Sequence, residues 1–225
     1  MIVVVGGIKG GSGKTTVATN LAIVRAGEGR RVLLIDADDQ ETATDFSALR
    51  DEKREGGSGY TCIKLTGSSV RTESHKLKDN FDDIIIDTGG RDTTSQRAAL
   101  TVADALLVPF VPRSFDVWTL EKVAGLVEEM RAVNPNLKAH AFINRADSRG
   151  VDNDEAADFL KENPALAFLD APLGARKAFS NAAAGGLSVI ELKPQDPKAS
   201  DELLALTLAV FGAPVQTIRR KAAGA

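Results

Sequence analysis

Cysteine, histidine and long apolar runs are nearly missing from this 225-residue chain, and each scarcity removes a class of function. The single thiol, Cys62, excludes a disulfide within the chain and any CxxC or multi-cysteine metal site built from one copy. It suits a reducing compartment, and the cytoplasm is the expected location. Two histidines, His75 in a charged stretch and His140 in an apolar one, offer no Ser/His or Cys/His pairing for nucleophilic catalysis. The first apolar run, Ile2 to Val5, is too short for a signal sequence or a membrane span. Charge of one sign is also lacking: 28 Lys and Arg against 31 Asp and Glu leave a net charge of −3. Such a balance supplies no global field for nucleic acid or an anionic membrane, so either partner must be met by a local patch. No internal repeat or low-complexity tract is evident.

What the chain does have is an ordinary globular composition, 43% hydrophobic and 26% charged, at a length that one α/β domain can fill. One domain spanning 1–225 is expected, with about 213–225 as a frayed tail. Four apolar runs, Ile2 to Val5, Val32 to Ile35, Ile84 to Ile86 and Ala105 to Val108, read as strands buried on both faces. Further strands are expected at Ala139 to Ile143 and Ala167 to Leu169, and Cys62 beside Ile63 reads as part of another buried strand. Helical spacing follows at Val17, Leu21, Val24, at Leu120, Val123, Val127, Met130, and at Leu203, Leu206, Val210. This alternation predicts an α/β fold: a mostly parallel twisted sheet flanked by helices on both faces. Arg50 to Gly59, which mixes charges with glycines, reads as a surface loop rather than an interdomain linker.

Chemistry concentrates at the ends of these runs. Directly after the first one stands Gly6-Gly7-Ile8-Lys9-Gly10-Gly11-Ser12-Gly13-Lys14-Thr15-Thr16, and a helix follows. Glycines let successive backbone N–H groups turn inward around phosphate oxygens, and the helix N-terminus adds positive potential. In such a cradle Lys14 reaches the terminal phosphates and Thr15 can ligate Mg²⁺. After the second run come Asp36, Asp38, Asp39 and Gln40, at the strand edge where carboxylates can hold Mg²⁺ through water or orient an attacking water. Capping of the next helix is the alternative task for one of these acids; Asp39 fits either role. The third run ends in Asp87-Thr88-Gly89-Gly90, an Mg²⁺-side carboxylate followed by a segment able to sense the γ-phosphate.

Lys9-Gly-Gly-Ser-Gly-Lys14-Thr-Thr, with Ile8 where the common phosphate loop has glycine, resembles the deviant Walker A motif of the ParA/MinD family of partition and positioning ATPases. Asp36, Asp38 and Gln40 match the family's Asp-x-Asp-Pro-Gln, with Asp39 in place of proline. The resemblance implies that Lys9 crosses a dimer interface to the partner's nucleotide, that Asp38 positions water for hydrolysis, and that Asp36 and Asp87 lie on the metal side. It makes Gly10, Gly11, Ser12, Gly13 and Thr16 nucleotide contacts with the lysines and Thr15, and places Asn144 and Arg145 where relatives read the adenine edge. Pro109 to Asp116 resembles the family's Pro-x-x-Pro-Ser-x-x-Asp; Ser114 or Asp116 there caps the following helix or contacts nucleotide.

The function so implied is slow, partner-stimulated hydrolysis of ATP with Mg²⁺ used as a timer. ATP joins two copies, the dimer binds non-specific DNA, and hydrolysis releases it, so that a plasmid, chromosome region or protein compartment is partitioned or positioned. A small ParB-like adaptor is the expected stimulating partner, the nucleoid the expected location, and no N-terminal DNA-reading domain is expected. Arg176, Arg219, Arg220 and Lys221 are the candidate DNA contacts. The alternative surface is a membrane, as for MinD-like relatives, but a tail with Val215 and Ile218 as its sizeable apolar residues buries too little. A metabolic ligase of the same fold would need an acceptor pocket, and an iron–sulfur carrier would need at least two cysteines per copy.

Overall fold

The computed structural model describes residues 1–112, 117–149 and 151–213. Ile2–Val5 (β1) leads through the glycine loop into Lys14–Gly27 (α1). Then come Val32–Ala37 (β2), Thr42–Lys53 (α2), Thr61–Lys64 (β3), Ser69–Leu77 (α3), Asp83–Thr88 (β4) and Thr94–Leu100 (α4). Ala105–Phe110 (β5), Val117–Arg131 (α5), Lys138–Ala146 (β6) and Asp152–Glu162 (α6) continue the alternation. The described chain closes with Ala167–Phe168 (β7), Leu173–Gly174 (β8), Lys177–Ala184 (α7) and Pro197–Phe211 (α8).

The strands form one sheet in the order β3-β2-β4-β1-β5-β6-β7, with β8 also paired to β6, and every pairing is parallel. Successive strand residues point to opposite faces, so each apolar run feeds two cores. Val3, Val5, Leu34, Ile85, Leu107 and Phe142 pack beneath α1, α7 and α8, whereas Ile2, Val4, Leu33, Ile84, Leu106 and Val108 pack beneath α3 to α6. Parallel register then fixes the site: Val5 and Asp36 both lie opposite Asp87, so the ends of β1, β2 and β4 meet at one sheet edge.

Two expectations need correction. Cys62 lies on β3, the edge strand of the sheet, and is half-buried rather than part of an enclosed strand. Arg50 does not open a surface loop: α2 runs through Lys53, and Arg50 is buried at 2% exposure. Its guanidinium donates to both carboxylate oxygens of Glu191 at 2.7 and 2.8 Å and to the carbonyls of Ser58 and Gly186 at 2.8 Å each. That fork ties α2 to the chain between α7 and α8.

Burial alone would raise the Glu191 carboxyl, but the hydrogen bonds and charge of Arg50, with the Ser188 N–H, outweigh it and hold the group down at about 2. A carboxyl depressed in the fold stabilises above its unfolded value of 4.5 and loses that contribution as pH falls from there toward 2. Arg50→Ala, which takes the two-pronged partner from Glu191 and leaves it Arg54 and the Ser188 N–H, is expected to cost about 2 kcal/mol at neutral pH. Urea unfolding at pH 7 and pH 3 checks this: the difference between wild type and variant should shrink at the lower pH, and an equal difference at both would remove the ion pair from the account.

Candidate nucleotide-binding site

The glycine loop is built for an anion. Gly13, with φ of 89°, is the N-cap of α1, makes no side-chain cap, and is followed by a first turn without an acidic residue. The first N–H groups of α1 therefore have no side-chain partner and point into the loop's concavity. Gly11, at φ 74°, turns the preceding backbone in a region that side-chain-bearing residues rarely enter. At Gly13 there is no room either: a Cβ would lie 2.5 Å from Nδ2 of Asn144.

Lys14 is 6% exposed, and its Nζ donates to the carbonyl of Lys9 at 2.9 Å. Burial draws its pKa below the usual lysine value, against the raising charges of Asp87 and Asp38. Asp87 is fully buried, and neither of its carboxylate oxygens has a hydrogen-bond partner among the described residues. Burial pushes its carboxyl up to about 7; the Thr15 hydroxyl and the Lys14 charge pull the other way, yet neither makes a well-formed hydrogen bond to it. A buried carboxylate with both oxygens unpartnered fits a cation or its bound water, and Thr15 adds a hydroxyl of the type Mg²⁺ accepts. Among the described residues there is no cluster of three or more His, Cys, Asp or Glu side chains, so phosphate oxygens and water would have to complete such a shell.

Asp36 has a task beside the metal-side one implied by the resemblance. Its Oδ2 accepts from the N–H and the hydroxyl of Thr44 at 2.8 and 2.9 Å, and its Oδ1 from the N–H of Asp38 at 3.2 Å. Both oxygens take part in capping α2 and bending the loop, so the capping acid is Asp36, whereas Asp39 is exposed in the cleft. Asp38 is half-buried beside the loop after β4, and its Oδ1 accepts from the N–H of Gln40 at 3.2 Å.

That loop explains its paired glycines. A Cβ on Gly90 would stand 2.6 Å from Cα and 2.8 Å from N of Gly10, so the backbone after β4 lies directly on the phosphate loop. Neither atom belongs to a side chain that could rotate away. Gly90→Ala should therefore separate the two loops at a cost of about 1–3 kcal/mol, read as weakened Mg²⁺·ATP binding in calorimetry. Unchanged affinity would mean that the two loops need not touch.

Gln96 was not legible as a site residue. It is fully buried, and its Oε1 accepts from the N–H of Gly7 at 3.0 Å and the hydroxyl of Thr88 at 2.9 Å, linking the loops after β1 and β4. The sequence signal was the T-x-x-Q of Thr93 to Gln96: Thr93 caps α4 by accepting from the Gln96 N–H, but the glutamine side chain turns to the loops instead of back to the cap. Arg91 was missed as well; it is exposed on the wall of the cleft.

Two grooves meet here. One, of about 670 Å³, is walled by the glycine loop, Lys14, Asp38 and the chain from Gly89 to Arg91. The other, of about 540 Å³, lies between Gly13, Thr16 and α7, with Phe179 and Ser180 on its far side. They share Gly13, Thr16 and Arg145. Arg145 is the extra residue of a bulge where β6 meets β8, and its φ of 54° is a strained one for arginine. Asn144 borders the second groove, and its Nδ2 donates to the Ser12 carbonyl at 2.6 Å, so one of its two N–H donors braces the phosphate loop.

Arg176 is likewise committed. It donates to both oxygens of Glu202 on α8, with the Nε contact at 2.9 Å, which leaves little charge for a phosphate backbone. Lys9 is half-buried, and its carbonyl accepts from the Lys14 ammonium. Ser114, Asp116, Arg219, Arg220 and Lys221 lie outside the described residues.

Sheet order, glycine loop and cleft together define a P-loop nucleoside triphosphatase of the ParA-like kind. Residues 3–189 match the family model described as CobQ/CobB/MinD/ParA nucleotide binding domain, and the chain belongs to that family. It is similar to "Maintenance of carboxysome distribution protein A" of Gloeobacter kilaueensis, 32% identical over 197 residues, covering 86% of this chain and 85% of that protein. The protein of the same name from Halothiobacillus neapolitanus is 26% identical over 201 residues, covering 88% of this chain and 91% of that one. Among solved structures, the Cyanothece McdA(D38A)-ATP complex superposes with a TM-score of 0.78 at 19% identity, covering 95% of this chain and 97% of the other, a likeness of fold. No helix among the described residues is long and apolar enough to cross a membrane.

Proposed function

We propose that this chain is a cargo-positioning ATPase that binds ATP with Mg²⁺, pairs with a second copy in that state, holds DNA without sequence preference, and lets go on hydrolysis. The observation that carries the reading is the cleft itself: an uncapped helix N-terminus and Lys14 line a space open to solvent, and beneath them Thr15 and Lys14 act on the buried carboxylate of Asp87, whose oxygens have no hydrogen-bond partner among the described residues. Phosphates in the first groove would leave the nucleoside in the second, because the grooves share Gly13, Thr16 and Arg145. Thr15 and Asp87 would hold Mg²⁺, which neutralises charge between the outer phosphates. Lys14 stabilises charge on the transferred phosphoryl group, Asp38 orients the water, and Gly90, resting on Gly10, carries the change at the γ-position into the chain after β4.

Lys9 is assigned the contact to the second copy's nucleotide, which makes ATP the link between copies. A protein compartment is the favoured cargo, since both relatives are named for maintenance of carboxysome distribution. A small adaptor would stimulate turnover, and DNA binding would place the protein on the nucleoid. With a net charge of −3, DNA affinity must come from a local group of Lys and Arg and should fall steeply with salt. Retention on non-specific duplex DNA, compared for ATP and ADP at two salt concentrations beside liposome sedimentation, tests the reading. Salt-sensitive retention with ATP only is expected; retention on liposomes and not on DNA, or on neither, would overturn the DNA step.

A further inference from the structure

Asn20 lies on α1, 2% exposed, on a helix whose apolar residues Val17, Leu21 and Val24 are also buried. Both ends of its amide are used. Nδ2 donates to the Thr16 carbonyl at 2.7 Å, while Oδ1 accepts from the Ser188 hydroxyl at 2.8 Å and from the Val189 N–H at 3.1 Å. One side chain thus fastens the first turn of the phosphate-loop helix to the chain that leaves α7. The far end is itself fixed: Ser188 and Glu191 form a reciprocal capping box, and Arg50 holds Glu191.

What this connection governs is the second groove. Thr16 stands on one wall, and α7, with Phe179, Ser180 and Ala183, is the other. The α7 helix has eight residues and buries only Ala178 and Ala182, so its own packing is shallow and tolerant of sliding. Hydrogen bonds of 2.7 to 3.1 Å between buried groups fix the separation of the walls more sharply than methyl contacts do.

We propose that Asn20 is a positioning residue that sets the spacing of α7 from the phosphate-loop helix and thereby determines how strictly the groove selects its base. This rests on the reading of that groove as the nucleoside site. The direct consequence is a split between two kinds of affinity. Base discrimination should depend on Asn20, whereas affinity for phosphate alone should not, because the glycine loop and Lys14 do not use that amide.

The test measures Mg²⁺-dependent binding of ATP, GTP, CTP and inorganic tripolyphosphate to the full chain and to Asn20→Leu and Ser188→Ala. For Asn20→Leu the preference for ATP over the other nucleotides should fall by about tenfold, the scale of one or two buried hydrogen bonds, with tripolyphosphate affinity kept within about twofold. Ser188→Ala, which leaves the Val189 N–H to Asn20, should show a smaller loss in the same direction and carries the test should Asn20→Leu fail to fold. Wild-type discrimination in a folded variant, judged by near-ultraviolet circular dichroism, overturns the positioning role. If the wild type itself binds ATP no better than tripolyphosphate, the groove is not a nucleoside site, and that reading fails separately.

Discussion

Asp38→Ala should bind Mg²⁺·ATP with nearly wild-type affinity and hydrolyse it on the order of 10²- to 10⁴-fold more slowly, the range associated with losing a positioned acid–base group. Asp38 is half-buried at the cleft, its Oδ1 accepts the Gln40 N–H at 3.2 Å, and a Cβ added to Gly89 would come within 3.1 Å of the same oxygen. It therefore stands between the loops after β2 and β4, beside the place assigned to the γ-phosphate, and it is not needed to hold the glycine loop. Removing it should leave the cradle intact and take away the group that orients water. Single-turnover hydrolysis read together with equilibrium binding separates the two effects. Turnover within about threefold of wild type would strip Asp38 of its role, and a parallel loss of affinity would make it a binding residue instead.

Lys14→Ala should fail one step earlier, at binding itself. The residue is 6% exposed and its ammonium donates to the Lys9 carbonyl at 2.9 Å, so the charge is largely desolvated and aimed along the loop before nucleotide arrives. A preorganised, buried cation facing phosphate is worth about 3 kcal/mol, which corresponds to a loss of affinity on the order of 10²-fold. The apo protein should not be weakened comparably: burial has lowered the pKa of Lys14, which marks a charge held at a cost in the free protein, although Asp87 and Asp38 offset part of it. Calorimetric titration with Mg²⁺·ATP measures the first effect and thermal unfolding without nucleotide the second. A variant that binds normally would mean that the glycine loop's N–H groups suffice.

The parts of this protein that were legible in its sequence are those whose cause is local. Short isoleucine and valine runs with no polar interruption favour strands covered on both faces, and Ile84 to Ile86 is such a strand at the centre of β4. The glycine loop was legible because Gly11 and Gly13 adopt backbone angles that other residues avoid, and because Lys and Thr follow at the start of a helix. Roles that depend on which atoms meet after folding were not. Asp36 and Asp87 each stand near the end of a strand, yet Asp36 gives Oδ2 to Thr44, eight residues on, and Oδ1 to the Asp38 N–H, while Asp87 finds no hydrogen-bond partner among the described residues. Nothing in the spacing separates the two. Arg50 reads as one charge in a charged loop; its partner Glu191 lies 141 positions away. Asn144, placed by the resemblance where relatives read the adenine edge, also donates to the Ser12 carbonyl, a contact across 132 positions that no local pattern announces. Gln96 and Asn20 were hidden for a common reason: each is a polar residue on a helix with buried apolar neighbours, and only the folded chain shows that its amide joins two segments.

The claim on which the rest depends is that ATP joins two copies through Lys9. Its most direct test is the mass in solution, by sedimentation, of Asp38→Ala and of the double variant Asp38→Ala, Lys9→Ala, each with Mg²⁺·ATP and with ADP. A dimer with ATP that reverts to monomer with ADP is predicted for the first, and a monomer in both nucleotides, with ATP still bound, for the second. A double variant that dimerises with ATP as the single one does would contradict the account.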